Sequence, residues 1–281
     1  AFGIKAEANL RLIKRPGAEV FASFAYANMA AMLEAQVALS GGEGIAECFG
    51  FDRQAHINLA NSGFELLQGM EIAGDVLRQQ GSASQRLGRM VQLFRDGRRK
   101  VADLQCSLHL CIEGEDEAHT HARLARAGAV AIQAGGEAVP DTIPRVTRSR
   151  PFRPIKALLG PEGERWLPFH GVFRLGDITA AHTVFAAALA AHAPALRTHE
   201  MKLSLLTVSS GDAIILEPHL FWADSLHRFH RQHVTPRQLE RYGDRAERPE
   251  LRAFAFDLRR QLGDVLHKAG AEHLQIGRYY P

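Results

Sequence analysis

Three short segments of this sequence carry polar and aromatic side chains in arrangements that could do chemistry. In residues 166–171, His170 stands beside a Gly in a rigid run that also holds Trp166 and a Pro. In residues 213–222, the carboxylate of Glu217 follows a wholly apolar run. Residues 273–280 gather an imidazole, an amide, a guanidinium and two phenols around one Gly. Ligand pockets concentrate such groups, although a strand histidine can also pack in a core and a carboxylate can cap a sheet edge.

Metal and nucleotide signatures are weak or missing. No Gly-x-Gly-x-x-Gly, Walker loop, Gly-x-Ser-x-Gly or His-Glu-x-x-His motif occurs in the sequence. His227, His230 and His233 have helical spacing, but Arg228 and Arg231 lie between them and would repel a cation. This run is therefore interpreted as a solvated basic helix face, and no metal is predicted.

The overall composition is that of an average soluble protein. The chain has 281 residues, 46% hydrophobic and 23% charged, with a net charge of +3. The basic residues are scattered among acidic ones, which argues against a nucleic-acid partner. Cys106 and Cys111 would point to opposite faces of one strand, so the cysteines are expected to be reduced core thiols. No apolar run reaches the roughly 18 residues of a membrane-spanning helix.

Hydrophobic periodicity predicts three strand–helix–strand units. Together they favour an α+β fold in which ferredoxin-like units form a large antiparallel sheet, covered by helices on one face. Segment 140–161, rich in proline and arginine, is predicted to be an exposed or partner-covering loop, and segment 236–249, rich in Arg and Glu, is predicted to be a surface segment. A final amphipathic helix is predicted over 250–269. The units comprise residues 20–51, residues 104–135, and residues 166–208 with a hairpin partner at 213–216.

These segments together resemble the vanillyl-alcohol oxidase and p-cresol methylhydroxylase family of FAD-linked oxidases, which includes flavin-dependent D-lactate and glycolate dehydrogenases. The similarity covers nearly the whole chain. It rests on three blocks: Trp-x-Pro-x-His-Gly at 166–171, Glu-Pro at 217–218 with a Trp at 222, and Gln-Ile-Gly-Arg-Tyr-Tyr at 275–280. Residues 2–12 (FGIKAEANLRL) are similar to the segment that closes the family's FAD-binding domain.

The resemblance implies the domain organisation and the cofactor. Residues 1–15 would be the end of the FAD-binding domain, and residues 16–281 a substrate-binding cap domain that is truncated at its C-terminal end. The pyrophosphate-binding loop is expected upstream of residue 1. FAD is the implied cofactor, with Gly3 and Ile4 as its contacts, and the fragment alone is expected to bind FAD poorly and to be inactive.

The resemblance also implies roles for single residues in the transfer of hydride from a substrate alcohol to flavin N5. His170 is the candidate base, because an imidazole has a pKa near 6.5, and Glu217 would orient it. Arg174, four residues after His170 on the same strand face, or Arg278 would bind a substrate carboxylate. The other candidates contact the substrate: Tyr279 as a further catalytic residue, Gln275 as a hydrogen-bonding partner, and Trp166, Trp222 and Tyr280 as pocket walls.

A 2-hydroxy acid such as D-lactate or glycolate is the implied substrate, and two alternatives stay open. Tyr279 matches a Tyr of phenol-oxidising relatives, so an alkylphenol is one alternative. Tyr280 stands where those relatives carry Arg, and this departure counts against phenol chemistry. A non-catalytic α+β module that binds a small molecule is the other.

The resemblance further implies partners and a location. The partners are the missing N-terminal FAD-binding domain and a cytochrome or quinone electron acceptor, with a homodimer left open. A cytoplasmic location is expected, with peripheral attachment to the membrane through the acceptor left open.

Overall fold

Strands and helices alternate along the chain in the order that strand–helix–strand units require. The computed structural model describes residues 12, 14–61, 103–149, 159–243 and 245–272. The strands are β1 Ala18–Tyr26, β2 Ile45–Asp52, β3 Cys106–Gly114, β4 Glu137–Val139, β5 Arg165–Pro168, β6 Gly171–Arg174, β7 Lys202–Ser210 and β8 Ala213–Trp222. The helices are α1 Met29–Leu39, α2 Arg53–Asn61, α3 Glu117–Gln133, α4 Thr142–Ser149, α5 Ile178–Thr198, α6 Arg228–His233, α7 Pro236–Tyr242 and α8 Pro249–Lys268.

The strands form one antiparallel sheet with the order β4-β1-β3-β2-β7-β8-β5, in which β6 also pairs with β8. The first four strands have the ferredoxin-like order 4-1-3-2. The second half repeats it, with β5–β6 as first strand, β7 as second and β8 as third, and a bridge between Val172 and Glu272 stands where the fourth would pair. Pairing of β2 with β7 joins the two units. The predicted fold class is confirmed.

One face of the sheet and the four long helices enclose the core. Alternate side chains of β3 and β8, such as Leu108 and Leu216, are fully buried beneath α1, α3, α5 and α8. Asn28 caps α1 and Asp116 caps α3. Each side-chain oxygen accepts a hydrogen bond from the backbone N–H of the residue three positions later in the chain. Cys106 lies in this core and Cys111 does not, as expected for residues five apart on a strand. The free cysteines are all buried.

The other face, called the second face below, carries the shorter helices α2 and α4. Helix α2 packs on β2 and β7, and α4 packs on β1 and β3. The segment predicted as a loop at 140–161 therefore contains a helix, with Pro144 in its first turn, where no intrahelical N–H bond is lost. Ile143 is buried, and the guanidinium of Arg145 lies 4.8 Å from the centre of the Phe21 ring. The predicted surface segment at 236–249 contains α7, none of whose residues is buried.

Helix α5 is the one helix of the described residues that is long and apolar enough to cross a membrane, judged by length and composition alone. It packs against α1, α8 and β6, and Ile178, Ala181 and Phe185 are buried in the shared core. Its apolar character is therefore accounted for in part by the core of the domain.

Candidate functional site

Strand β8 sends alternate side chains to the two faces of the sheet. Leu216, Leu220 and Trp222 belong to the core beneath the long helices. Glu217 and His219 point to the second face, because successive strand side chains alternate. Each is only partly exposed, at 26% and 16% of its side chain. The strand continues past Glu217, where the sequence pattern ended its apolar run.

The neighbouring strand carries His170 to the same place. Pro168 is in register with His219 and Gly171 with Leu216, so the same register places His170 opposite Glu217. Directly opposed residues of antiparallel strands have Cβ atoms roughly 5 Å apart. The ladder is interrupted here between β5 and β6, where the Phe169 N–H still donates to the Pro218 carbonyl at 3.1 Å. His170 is 5% exposed.

These side chains and two aromatic neighbours form a cluster, which we call the β8 cluster: Trp166, His170, Glu217, His219 and Phe221. Nε2 of His219 lies 3.3 Å from Oε1 of Glu217. The Trp166 ring meets the His219 ring edge to face, with centroids 5.5 Å apart and planes at 83°. The Phe221 ring lies on the other side of His219, at 6.2 Å. An imidazole–carboxylate pair between two aromatic rings results.

Electrostatics keep Glu217 ionised. Burial works to raise the pKa of Glu217, but the contact with the His219 ring and the charges of His219 and His170 outweigh it, so that the pKa is lowered. The carboxylate is therefore available to stabilise a positive charge on either imidazole. This is the arrangement by which a carboxylate supports a histidine that accepts a proton.

A second carboxyl group, that of Asp52, interacts electrostatically with His219 of the β8 cluster. Asp52 ends β2, and its Oδ1 accepts a hydrogen bond from the Ala55 N–H at 2.8 Å. Burial raises the pKa of Asp52 to about 6, although hydrogen bonds from the backbone of Ala55 and Leu205 and the charge of His219 oppose the rise. Asp52 is held in place by its role as the cap of α2.

A cavity of about 230 Å³ adjoins the β8 cluster through Phe221. Much of its charge is neutralised within its own wall, because Lys202 pairs with Glu162 at 2.7 Å and with Glu164 at 2.9 Å. The further lining residues are His199, Glu200, Ala223, Arg245 and Arg248.

The structure brings together three of the residues predicted from the sequence and separates two others from them. Trp166, His170 and Glu217 share the second face, as described above. Trp222 is buried in the core on the opposite face, because it lies an odd number of residues from Glu217 along β8. Arg174 lies at the far end of β6, is 88% exposed, and donates to Asp177 at 2.9 Å. Four residues of strand separate it from His170 by about 13 Å.

The remaining predicted residues lie outside the described residues. These are the flavin-contact candidates Gly3 and Ile4 and the substrate-contact candidates Gln275, Arg278, Tyr279 and Tyr280. Their roles stay predictions, as does the domain boundary near residue 15. Within the described part of the chain, no group of three or more His, Cys, Asp or Glu side chains could hold a metal ion.

Sequence reasoning missed His219, although a signal was present. His219 stands two residues after Glu217, and a period of two places both on one face of a strand. The signal was hidden because Pro218 and the preceding apolar run favoured a strand that ended at residue 216.

Reasoning from the sequence also missed a buried polar chain on the second face of the first unit. Ser23 Oγ lies 2.8 Å from Nδ1 of His109, whose Nε2 lies 2.7 Å from Ser107 Oγ. The same hydroxyl lies 2.7 Å from Nε2 of His56 in α2. All four residues are at most 2% exposed.

Comparison with solved structures identifies the fold. A structure of alkyldihydroxyacetonephosphate synthase matches with a TM-score of 0.52 at 9% identity, covering 92% of this chain and 41% of that chain. A crystal structure of p-cresol methylhydroxylase with substrate bound matches with a TM-score of 0.52 at 11% identity, covering 94% of this chain and 46% of that chain. No protein-family model and no curated protein sequence matches the chain.

The described chain therefore has the fold found in FAD-linked oxidases, and it spans less than half the length of these structures. The fold agrees with the family that the three sequence blocks resemble. The β8 cluster offers one half-buried wall of aromatic and imidazole groups, which fits one side of a site for a flat aromatic group such as the flavin of FAD.

Proposed function

We propose that this chain is the substrate-side part of an FAD-dependent oxidoreductase that oxidises a CH–OH group. The observation that carries the proposal is the β8 cluster, in which Glu217 lies against His219 and opposite His170 on the second face of the sheet. The fold shared with alkyldihydroxyacetonephosphate synthase and p-cresol methylhydroxylase supports it.

In the proposed reaction, His170 takes the proton of the substrate hydroxyl. The anionic Glu217 stabilises the imidazolium that results, and His219 holds the carboxylate from the other side at 3.3 Å. The Trp166 and Phe221 rings limit the access of water to these groups, which strengthens the ion pair. FAD, when bound, supplies the acceptor for the hydride that leaves the substrate carbon.

A 2-hydroxy acid such as D-lactate or glycolate is the substrate class we favour, on the resemblance of the three sequence blocks. One observation favours an alkylphenol instead. Of the two arginines predicted to bind a substrate carboxylate, Arg174 lies among the described residues, and it pairs with Asp177 at the surface. The rings of Trp166 and Phe221, in contrast, could pack against a phenyl group. A carboxylate would therefore require Arg278 or another cation outside the β8 cluster.

The test is anaerobic reduction of the flavin in the whole protein that contains this chain. D-lactate, glycolate and a 4-alkylphenol are mixed with it separately, and flavin absorbance is followed. We expect bleaching with one substrate class, and a slowing of roughly a hundredfold or more in His170→Ala. His121→Ala, an exposed site on α3, is the control. Absence of bound flavin would contradict the proposal, and near wild-type reduction in His170→Ala would exclude His170 as the base.

The partners proposed for the whole protein follow from this reaction. An FAD-binding domain would close the second face, and a cytochrome or quinone would reoxidise the flavin. A cytoplasmic location, with peripheral attachment to the membrane through the acceptor, fits this set of partners.

A further inference from the structure

Helices α6 and α7 form an exposed surface that the proposed reaction does not use. We define the α6–α7 surface by its exposed outward residues Arg228, Phe229, His233, Arg237 and Arg241. Phe229 is 56% exposed, and its ring centroid lies 4.6 Å from that of His233. A large aromatic side chain thus stands in water among cations.

The surface is held from beneath by a small core of its own. Val234 and Leu239 pack with Leu159 and Leu226 under the two helices. Nη2 of Arg231 donates to the Gly243 carbonyl at 2.8 Å and ties α6 to the end of α7. The outward residues of the α6–α7 surface lie outside this small core.

The charge of the surface is strongly positive. Helices α6 and α7 contain four arginines, at 228, 231, 237 and 241, and one acidic residue, Glu240. Within the described part of the chain, Arg228 and Arg241 make no ion pair, and the nearest aromatic contact of Arg241 is the Tyr242 ring at 5.1 Å. Guanidinium groups of this kind can bind phosphate oxygens by paired hydrogen bonds.

We propose that the α6–α7 surface docks on an anionic phospholipid bilayer. The arginines complement the negative headgroups, and Phe229 enters the boundary between headgroups and acyl chains. An acidic protein would also attract the arginines, but it would not require an exposed phenylalanine among them. This docking is independent of the proposed oxidation, because none of the β8 cluster belongs to the surface.

The test is co-sedimentation of the 281-residue chain with vesicles of phosphatidylcholine alone and with vesicles that also contain phosphatidylglycerol. We expect binding only to the anionic vesicles, weakening as salt increases. Arg228→Gln and Arg241→Gln should each weaken binding by about fivefold, and Phe229→Ala should weaken it at high as well as low salt.

Matched controls separate the surface from general charge and hydrophobicity. Arg197→Gln removes an exposed arginine of α5, and Phe256→Ala removes an exposed phenylalanine of α8, which is 46% exposed. Both should bind anionic vesicles like the unaltered chain. Equal binding to both vesicle types, no binding to either, or equal losses in the control variants would overturn the proposal, and no vesicle binding would leave an acidic protein as the partner.

Discussion

Single buried histidines on the second face titrate in a way that the sequence does not reveal. His56 and His109 belong to the chain of hydrogen bonds from Ser23 to α2, and Phe51 packs edge to face on both rings. Burial lowers the pKa of His56 to about 4, opposed by a hydrogen bond with the backbone of Leu104. Burial, together with the charge of His56, also holds the pKa of His109 well below its usual range. Both imidazoles are therefore neutral in the native state at neutral pH.

Stability should depend on the titration of His56. An unfolded histidine protonates near pH 6.5, so the unfolded state binds more protons between pH 6.5 and 4, and the free energy of unfolding should fall as pH falls through this window. His56→Gln should reduce the fall in the free energy of unfolding across this window by up to about 3 kcal/mol. Urea unfolding at several pH values measures it, with the exposed His121→Gln as control. An unchanged slope in His56→Gln would show that His56 is not held neutral.

At the scale of elements, the sequence predicted which segments are helices and strands better than it predicted their partners. The amphipathic pattern of α8 and the caps of α1 and α3 are local, so they could be found without the structure. Helix α4 was missed because the five prolines and four arginines of residues 140–161 suggested a loop. In the structure, Arg148 forms ion pairs with Glu19, Glu47 and Glu113 on three strands. Such a contact depends on the sheet order, which no local pattern contains.

Loss of the α4 contact should destabilise the domain. Arg148→Met leaves three half-buried carboxylates together on β1, β2 and β3, and we expect a loss of about 2 kcal/mol at pH 7. The loss should shrink in acid, where carboxylates become protonated. Thermal unfolding at pH 7 and in acid measures this loss of stability. Arg174→Met, which removes an exposed ion pair, is the control and should have little effect. Equal losses in the two variants would contradict this account of α4.

Substitution of Asp52, the cap of α2, should stabilise the domain, whereas substitution of Arg148 should destabilise it. Because the pKa of Asp52 is raised by burial to about 6, the ionised carboxylate is unfavourable in the folded state. Its effect on stability is absent below the unfolded pKa near 3.9, grows as a penalty between about pH 3.9 and 6, and is complete above 6. Asp52→Asn keeps an acceptor for the Ala55 N–H and should raise the free energy of unfolding at pH 8 by on the order of 2 kcal/mol, with no gain at pH 4.

Denaturant titrations at these two pH values distinguish the outcomes for Asp52→Asn. A loss of stability at pH 8 would mean that the negative charge at the start of α2 matters more than its burial.

At the scale of the whole molecule, the site depends on pairing between distant segments. The register of β5–β6 with β8 brings His170 opposite Glu217, and the two-unit sheet leaves this face free of the four long helices. The two units also carry a histidine on matching strands, with a polar residue two positions earlier: Ser107 with His109, and Glu217 with His219. The sequence alone predicted His170 and Glu217 by resemblance, but only the register shows that they face each other and that Trp222 turns away.

In the proposed reaction, the carboxylate of Glu217 supports proton transfer from the substrate hydroxyl to His170. The most direct measurement is the single-turnover rate of flavin reduction in the whole protein that contains this chain, as a function of pH, for Glu217→Gln. We expect the rate in Glu217→Gln to be at least about a hundredfold lower than in the wild type, with an altered pH profile and unchanged flavin content. A Glu217→Gln protein that reduces its flavin at the wild-type rate with the wild-type pH profile would contradict it.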